Sequence, residues 1–354
     1  MVSANIADAD FLTVIFGDRW TLLEHHRGLT HSIPGTAAIG VLIPLIALAI
    51  ERVVAKIRKR SPRIRLGGLM IAPIIAAATH PLLDWTNNYG LRPFLPWSGR
   101  WFYGDLVFIV DPYIWLALAS AMFLLTSNSK LKLTGWAVLG LAISTFIGLA
   151  GWRSGPDGWP LRIAFIAWLV GIVSLASVRR LGARAVEDIN RIGQPLALAT
   201  LLLLTVYWGA LALAHRSALA DTLAVANSVA ASKGEHVVRA VAMPTVASPF
   251  RWQSVAETDL AMYRFRIELG SDGTNTSTTR YEKPTGQKAQ LASLAELDRR
   301  AQVLLGFARF PLARVAEGDC VGQTLVQFAD LRYTEPGAAR GNFSVNIPVD
   351  CPAR

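Results

Sequence analysis

Six long apolar stretches constrain the fold of this 354-residue chain more than any other feature. A membrane-spanning helix needs about 20 predominantly apolar residues. The stretches lie near residues 33–51, 66–83, 106–126, 134–152, 161–178 and 195–214. With 52% hydrophobic and only 17% charged residues, the composition excludes a disordered chain and a small disulfide scaffold. The sequence therefore predicts a polytopic α-helical membrane protein with about six transmembrane helices.

The basic residues are unevenly distributed between the loops. The loops after the first, third and fifth stretches carry 13 Lys and Arg, whereas the opposite side carries six, together with eight carboxylates. The positive-inside rule places the more basic side in the cytoplasm. Because topology accounts for the net charge of +10, we expect no nucleic-acid partner. Residues 1–32, the loop 84–105 and everything after residue 215 are then extracytoplasmic, in a multi-pass protein of a bacterial-type inner membrane.

The composition changes after residue 215, so we expect two domains, a transmembrane domain 1–215 and an extracytoplasmic α+β domain 216–354. Alternating β-type runs near residues 236–252, 262–270, 324–333 and 342–349 predict strands, and residues 291–310 predict one amphipathic helix. Cys320 and Cys351 are the two cysteines of the chain. An oxidising compartment favours a disulfide between them, and two unpaired buried thiols are the alternative.

His80 and Asp84 are four residues apart in the run HPLLDWTNN, at the end of the second apolar stretch. On a helix both side chains project from one face. An imidazole and a carboxylate at this spacing suit a divalent metal, and ionisable groups in a membrane span are functional candidates. The alternative is a His–Asp pair that caps a helix at the membrane interface.

The run HHRGLTHS precedes the first stretch and contains His26 and His31. Gly28 permits a turn that brings both imidazoles to one point, and Ser32 or Thr30 can cap the following helix. Arg27 is a candidate ligand for a substrate anion, particularly a phosphate. The alternative is a polar interfacial loop with incidental histidines.

Further carboxylates lie on the same side of the membrane. Asp8 and Asp10 are paired in NIADADFL and can bridge cations or divide acid and base roles. Asp105 is a candidate general base, and Asp111 is either an orienting residue beside the metal or a cap before Pro112. Asn87 is predicted to orient the ligands in the same way.

The loop 84–105 is rich in Trp and Tyr. This pattern is typical of an interfacial aromatic belt, and the alternative is an apolar mouth for a lipid-like substrate. The sequence contains no Walker loop, dinucleotide glycine fingerprint, GxSxG elbow or CxxC pair. A serine hydrolase and a nucleotide-driven transporter are therefore disfavoured.

Several of these runs together resemble the YdjM-like family of membrane-bound metal-dependent hydrolases. The similar runs are NIADAD, HHRGLTHS, HPLLDWTNNYGLRP and RWFYGDLVFIVDP, followed in the outer part by SPFRW, FARFP and DLRY. The family motifs are distantly similar to zinc-dependent phospholipase C, in which His and Asp ligands hold a metal that activates water. The resemblance implies a metal cluster held by the candidates Asp8, Asp10, His26, His31, His80 and Asp84.

Members of that family usually begin with an earlier helix that carries a Thr–His pair. The first ten residues are acidic and lack the features of a secretory signal. We therefore expect either a start upstream of Met1 or a truncated member of the family, and a missing helix could remove one metal ligand.

Two functions remain open from the sequence. The first is an inner-membrane hydrolase whose divalent metal, zinc, activates water against an ester or phosphodiester of a lipid-linked substrate at the outer face. Here Asp10, His26, His31, His80 and Asp84 bind the metal, and Asp8, Asp105 and Arg27 take part in catalysis. The alternative is a membrane scaffold or envelope-stress protein whose outer domain binds a partner, with the His and Asp residues only tying helices together.

Overall fold

The computed structural model describes residues 2–63, 70–182, 189–270, 277–316, 322–337 and 341–351. The chain begins with short helices joined by 3-10 turns. These helices are α1 (Val2–Asn5), α2 (Thr13–Phe16) and α3 (Arg19–His25), with turns at Ile6–Leu12 and Leu29–His31. The short elements do not form a bundle of their own, and they pack against the ends of the longer helices that follow.

Six longer helices follow among the described residues. They are α4 (Ile33–Ile57), α5 (Ile71–Trp85), α6 (Pro112–Thr126), α7 (Lys130–Arg153), α8 (Trp159–Gly182) and α9 (Ile189–Ser232). Among the described residues, four segments are long and apolar enough to cross a membrane, namely Ile33–Ile57, Lys130–Arg153, Gly155–Arg180 and Gly193–Ser232. The chain is therefore an α-helical membrane protein.

Helices α5 and α6 correspond to the second and third predicted stretches, but each has only 15 residues. At 1.5 Å per residue such a helix is about 22 Å long, which is shorter than the roughly 30 Å hydrocarbon core of a bilayer. Residues 66–69 of the second stretch lie outside the described residues. The structure thus supports four spans, and the count of six stays a prediction.

The residues at the start of α4 explain where this helix begins. The Ser32 hydroxyl accepts a hydrogen bond from the Gly35 amide at 3.1 Å, and Pro34 lies in the first turn of α4. The predicted cap at Ser32 is thereby confirmed. A cap of this kind fixes the direction in which α4 leaves the turn that carries His31.

The C-terminal part contains two antiparallel sheets. The first has the order β1 (Val237–Thr245), β2 (Ser248–Thr258), β3 (Ala261–Glu268) and β4 (Thr279–Glu282), and the second has the order β5 (Pro311–Val315), β6 (Gln323–Asp330) and β7 (Ser344–Asp350). Helices α10 (Gly286–Ala295) and α11 (Arg299–Phe307) pack against the second sheet. The predicted small α+β domain is confirmed in its architecture.

The single amphipathic helix expected over residues 291–310 is wrong. The structure has two helices there, because Asp298 adopts an extended conformation and its carboxylate accepts a hydrogen bond from the Arg300 amide at 2.8 Å. The short polar side chain of Asp favours this capping arrangement over continuation of a helix.

Helix α9 connects the two parts without a break. Its C-terminal half carries Ala218 and Ala226 into the core of the first sheet, beside the buried Trp252. Thr222 on the same helix face shares a 2.7 Å hydrogen bond with Ser254 of β2. The predicted domain boundary at residues 215 and 216 therefore falls inside one continuous helix, and the division into domains stays a prediction.

The second sheet shares its core with the N-terminal segment. Trp20 and Leu23 of α3 and Tyr89 of the loop after α5 are buried in one cluster with Phe307 and Phe328. The C-terminal part consequently lies directly on the N-terminal segment and on the loop after α5.

Candidate metal centre

The candidate site is formed by the 3-10 turn Ile6–Leu12, the turn Leu29–His31 and the last turns of α5. A Cβ on Gly28 would lie 2.5 Å from the carbonyl oxygen of His25. Only glycine therefore allows the chain to turn back sharply enough to place His31 beside the N-terminal turn. The helical spacing of His80 and Asp84 directs both side chains to the same point, as predicted.

Four side chains converge there and are called the Asp/His cluster, namely Asp8, His31, His80 and Asp84. The Asp8 Oδ1 atom lies 3.4 Å from the His31 Nε2 atom and 3.3 Å from the His80 Nε2 atom. The Asp84 Oδ2 atom lies 3.3 Å from His31 Nε2 and 3.6 Å from His80 Nε2. Each of the two nitrogens thus lies 3.3–3.6 Å from both oxygens.

Three of these four atoms are buried and have no hydrogen-bond partner, namely His31 Nε2, His80 Nε2 and Asp84 Oδ2. A buried polar atom without a partner costs about 1–3 kcal/mol. Tetrahedral zinc binds His nitrogen and carboxylate oxygen at about 2.0–2.2 Å, which separates the ligand atoms by roughly 3.3–3.6 Å. The four measured distances match that separation, so the residues present fit a zinc ion.

The charges of the surroundings favour a divalent cation. Asp8, Asp10 and Asp84 oppose the single guanidinium of Arg27, which leaves two negative charges when the imidazoles are neutral. Burial lowers the pKa of the His31 imidazole, but the neighbouring Asp10 and Asp84 carboxylates outweigh burial and raise that pKa to about 9. The site therefore attracts positive charge, as a proton on His31 or as a metal ion.

His80 is oriented by the N-terminal helix. Its Nδ1 atom lies 2.7 Å from the carbonyl oxygen of Ala4. A carbonyl oxygen can only accept, so Nδ1 carries the hydrogen and donates it. The Nε2 atom then has its lone pair free to bind a metal, which is the arrangement typical of metal-binding histidines.

Asp10 binds several groups at once. Its Oδ1 atom lies 3.0 Å from His26 Nδ1, and its Oδ2 atom accepts hydrogen bonds from the Arg27 amide at 3.0 Å and the Thr30 hydroxyl at 3.1 Å. Burial would raise the pKa of Asp10, but the hydrogen bonds with His26 and His31 outweigh burial and hold that pKa well below its ordinary value. Both Asp10 oxygens are thus engaged in positioning the turn that carries His31.

A second group of ligand atoms adjoins the Asp/His cluster. Asp8, Asp10 and His26 offer atoms that lie within 4.8 Å of one another. Asp8 belongs to both groups, so its carboxylate is placed to bridge them. The roles predicted for Asp10 and His26 as ligands stay predictions.

Arg27 is buried rather than open to a substrate. Its guanidinium donates to Asp84 Oδ1 at 2.9 Å and to Asn87 Oδ1 at 2.9 Å, and it approaches the carbonyl oxygen of Gly90 at 3.3 Å. Its φ of 54° lies in the left-handed region that non-glycine residues rarely adopt. These hydrogen bonds, together with the one from the Arg27 backbone amide to Asp10, hold the unusual conformation. They also position Asp84 toward the histidines.

Two predicted carboxylates lie away from the Asp/His cluster. The Arg309 Nη1 atom donates to both carboxylate oxygens of Asp105, at 3.0 and 2.7 Å. Asp111 caps α6 by accepting hydrogen bonds from the Tyr113 and Ile114 amides, and it also accepts one from the Tyr207 hydroxyl at 2.9 Å. Asn87 does lie at the site, where it binds Arg27.

Cys320 lies outside the described residues, so its disulfide to Cys351 stays a prediction.

The outer domain contributes contacts that the sequence did not indicate. The Tyr89 ring lies 5.7 Å from the His26 ring on one side and 4.8 Å from the Phe307 ring on the other. Arg332 donates to the carbonyl oxygen of Asn88 at 2.8 Å. No local pattern could have revealed the contacts of Phe307 and Arg332, because each of these residues lies more than 200 residues from its partner in the chain.

Comparisons with known proteins relate the N-terminal part of the chain to a family. Residues 1–154 match the family described as "YdjM inner membrane protein". The "Uncharacterized protein YfhP" of Bacillus subtilis (strain 168) is 28% identical over 100 residues, which make up 28% of this chain and 28% of that protein. No solved structure matches the chain. The resemblance predicted from the motifs is therefore confirmed for residues 1–154, the part of this inner membrane protein that carries the Asp/His cluster. For the later runs SPFRW, FARFP and DLRY it stays a prediction.

Proposed function

We propose that this protein is a zinc-dependent hydrolase that cleaves a phosphodiester or another ester carried by a lipid at the extracytoplasmic face of the inner membrane. The observation that carries the proposal is that the buried atoms His31 Nε2 and His80 Nε2 each face Asp8 Oδ1 and Asp84 Oδ2 at 3.3–3.6 Å. These contacts are ion pairs, and His31 Nε2, His80 Nε2 and Asp84 Oδ2 form no hydrogen bond in them. Structural His–Asp pairs that only tie helices together are expected to form such a bond.

Bound zinc would lower the pKa of a water molecule toward 7 and stabilise the negative charge that develops on the substrate. Asp8 is the exposed member of the Asp/His cluster, with 44% of its side chain accessible, so water and substrate reach the site at this carboxylate. We assign Asp8 the role of general base as well as that of a ligand. Asp10 and Arg27 are positioning residues, because they hold His31 and Asp84.

The arrangement of the helix ends supports the proposal that the Asp/His cluster lies at the extracytoplasmic face of the membrane. The Asp/His cluster, the loop after α5 and the outer domain lie at one end of the long helices, as shown by the Tyr89 and Arg332 contacts. The described part of the basic loop after α4, residues 58–63, lies at the opposite end of that helix from Ser32. Basic loops mark the cytoplasmic side.

The protein reconstituted in vesicles should hydrolyse lipid phosphodiesters or esters only with metal bound. We expect a chelator to reduce the rate at least 100-fold and zinc to restore it, because the water loses its activation without the ion. The assay follows release of the headgroup from a panel of phospholipids. A His25→Ala variant is the matched control, since the exposed His25 ring contacts only the carbonyl oxygen of Thr21 and should leave the rate unchanged.

Two results would contradict the proposed activity. One is a rate that the chelator does not change. The other is a zinc-loaded protein that hydrolyses no member of the panel, which would leave the cluster as a structural metal site and favour the scaffold function.

A further inference from the structure

Residues 11–16 form an apolar surface segment directly after Asp10, called the FLTVIF segment. Five of its six side chains are exposed hydrophobic groups, and Phe16 reaches 90% exposure. No charged residue occurs between Asp10 and Asp18. A compact run of large apolar side chains in contact with water is unusual for a protein surface and marks an interaction site.

The FLTVIF segment is held beside the Asp/His cluster. The Phe11 ring lies 4.3 Å from the His26 ring, and Asp10 binds the Thr30 hydroxyl at 3.1 Å. Leu29, next to Thr30, and Ile33, three residues after Thr30, are also exposed, at 57% and 60%. Ile33 begins α4, whose exposed side chains face lipid because the helix crosses the membrane. The apolar surface of the segment therefore continues the lipid-facing surface of α4.

Helix α5 adds to the same surface from the other side of the cluster. Leu82 is 60% exposed, and it lies between His80 and Asp84. Exposed apolar groups thus occur both on the segment that follows Asp8 and on α5, whose His80 Nε2 atom lies 3.3 Å from the accessible carboxylate of Asp8. Short apolar segments of this kind enter the boundary between lipid headgroups and acyl chains.

We propose that the FLTVIF segment inserts into the outer leaflet, so that the Asp/His cluster opens at the membrane surface and receives the headgroup of a lipid that stays in the bilayer. The membrane insertion stands on exposure and position alone, whereas the assignment of the substrate rests on the proposed hydrolase function. The occupant of this surface is the lipid layer itself, because the surface is continuous with a helix that lipid already surrounds.

Site-directed spin labelling tests the insertion without any measurement of activity. A label on Phe16→Cys in reconstituted vesicles is compared with labels on Leu202→Cys, in the membrane-spanning part of α9, and Leu297→Cys, between α10 and α11. These two reference positions are similarly exposed, at 64% and 73%. Unmodified protein carried through the same labelling reports any signal from Cys320 and Cys351.

We expect the label at position 16 to collide with dissolved oxygen several-fold more than with a water-soluble nickel complex, as at position 202 and unlike position 297. Equal access to both reagents, as at position 297, would overturn the proposal, since the segment would then lie in water. Low access to both would also overturn it, because another protein segment or a second copy of the chain would then cover the surface.

A Phe16→Asp variant separates insertion from chemistry. We expect its rate on vesicle-borne lipid to fall about tenfold while its zinc content and its rate on a water-soluble ester stay unchanged. An unchanged rate on vesicles would contradict the role of the segment in substrate delivery. If the protein hydrolyses nothing, the proposed function fails, and the spin-label result still decides the insertion.

Discussion

The His80→Ala variant is expected to bind zinc at least 100-fold more weakly than the unmodified protein. His80 supplies one of the four converging atoms, and its Nδ1 bond to the Ala4 carbonyl directs the Nε2 atom at the cluster. Loss of a group that merely orients a ligand already costs 10- to 100-fold in metal affinity, so loss of a ligand should cost more. Competition with a chelating dye measures the affinity in detergent.

The control for this experiment must change a histidine without changing the site. His25→Ala serves, because His25 is exposed and its ring hydrogen-bonds with the carbonyl oxygen of Thr21. Circular dichroism and elution volume report whether each variant is folded. A folded His80→Ala protein that keeps the full affinity for zinc would show that the Asp/His cluster is not the metal site.

The Asp330→Ala variant is expected to destabilise the outer domain by about 3–5 kcal/mol. Asp330 and Arg332 are both fully buried, and the Arg332 Nη2 atom lies 2.6 Å from the Asp330 Oδ2 atom. Without Asp330, a guanidinium is left in the protein interior with no opposing charge. Arg332 also binds the carbonyl oxygens of Asn88 and Phe307, so the loop beside His26 should loosen as well.

Thermal unfolding in detergent measures this effect, with Arg239→Ala as the control. Arg239 pairs with Glu257 at 2.6 Å but is half exposed, and Glu257 keeps a second partner in Lys283. An exposed pair contributes little to stability. An unfolding midpoint of Asp330→Ala no lower than that of the control would refute the role assigned to the buried pair.

The elements that depend on local pattern could be predicted from the sequence. Long apolar runs, the cap at Ser32 and the four-residue spacing of His80 and Asp84 each follow from neighbouring residues alone. The turn at Gly28 could also be predicted from neighbouring residues, because a tight turn needs a residue without a side chain. These features place His31, His80 and Asp84 close together, as the structure shows.

Contacts between distant parts of the chain could not be predicted in this way. The sequence suggested Arg27 for a substrate anion and Asp105 for a general base, whereas the structure gives each a protein partner, Asp84 and Arg309. Arg309 lies 204 residues from Asp105. The Asp105–Arg309 pair depends on how the C-terminal part packs on the N-terminal part, and no spacing within a motif encodes that packing.

The central claim is that Asp8, His31, His80 and Asp84 hold one zinc ion. Elemental analysis combined with X-ray absorption spectroscopy of the purified, zinc-replete protein tests this claim most directly. The structure predicts at least one equivalent of zinc, coordinated by nitrogen and oxygen at about 2.0–2.2 Å and with the scattering pattern of two imidazoles. Protein without stoichiometric zinc, or zinc bound by sulfur, would contradict the account.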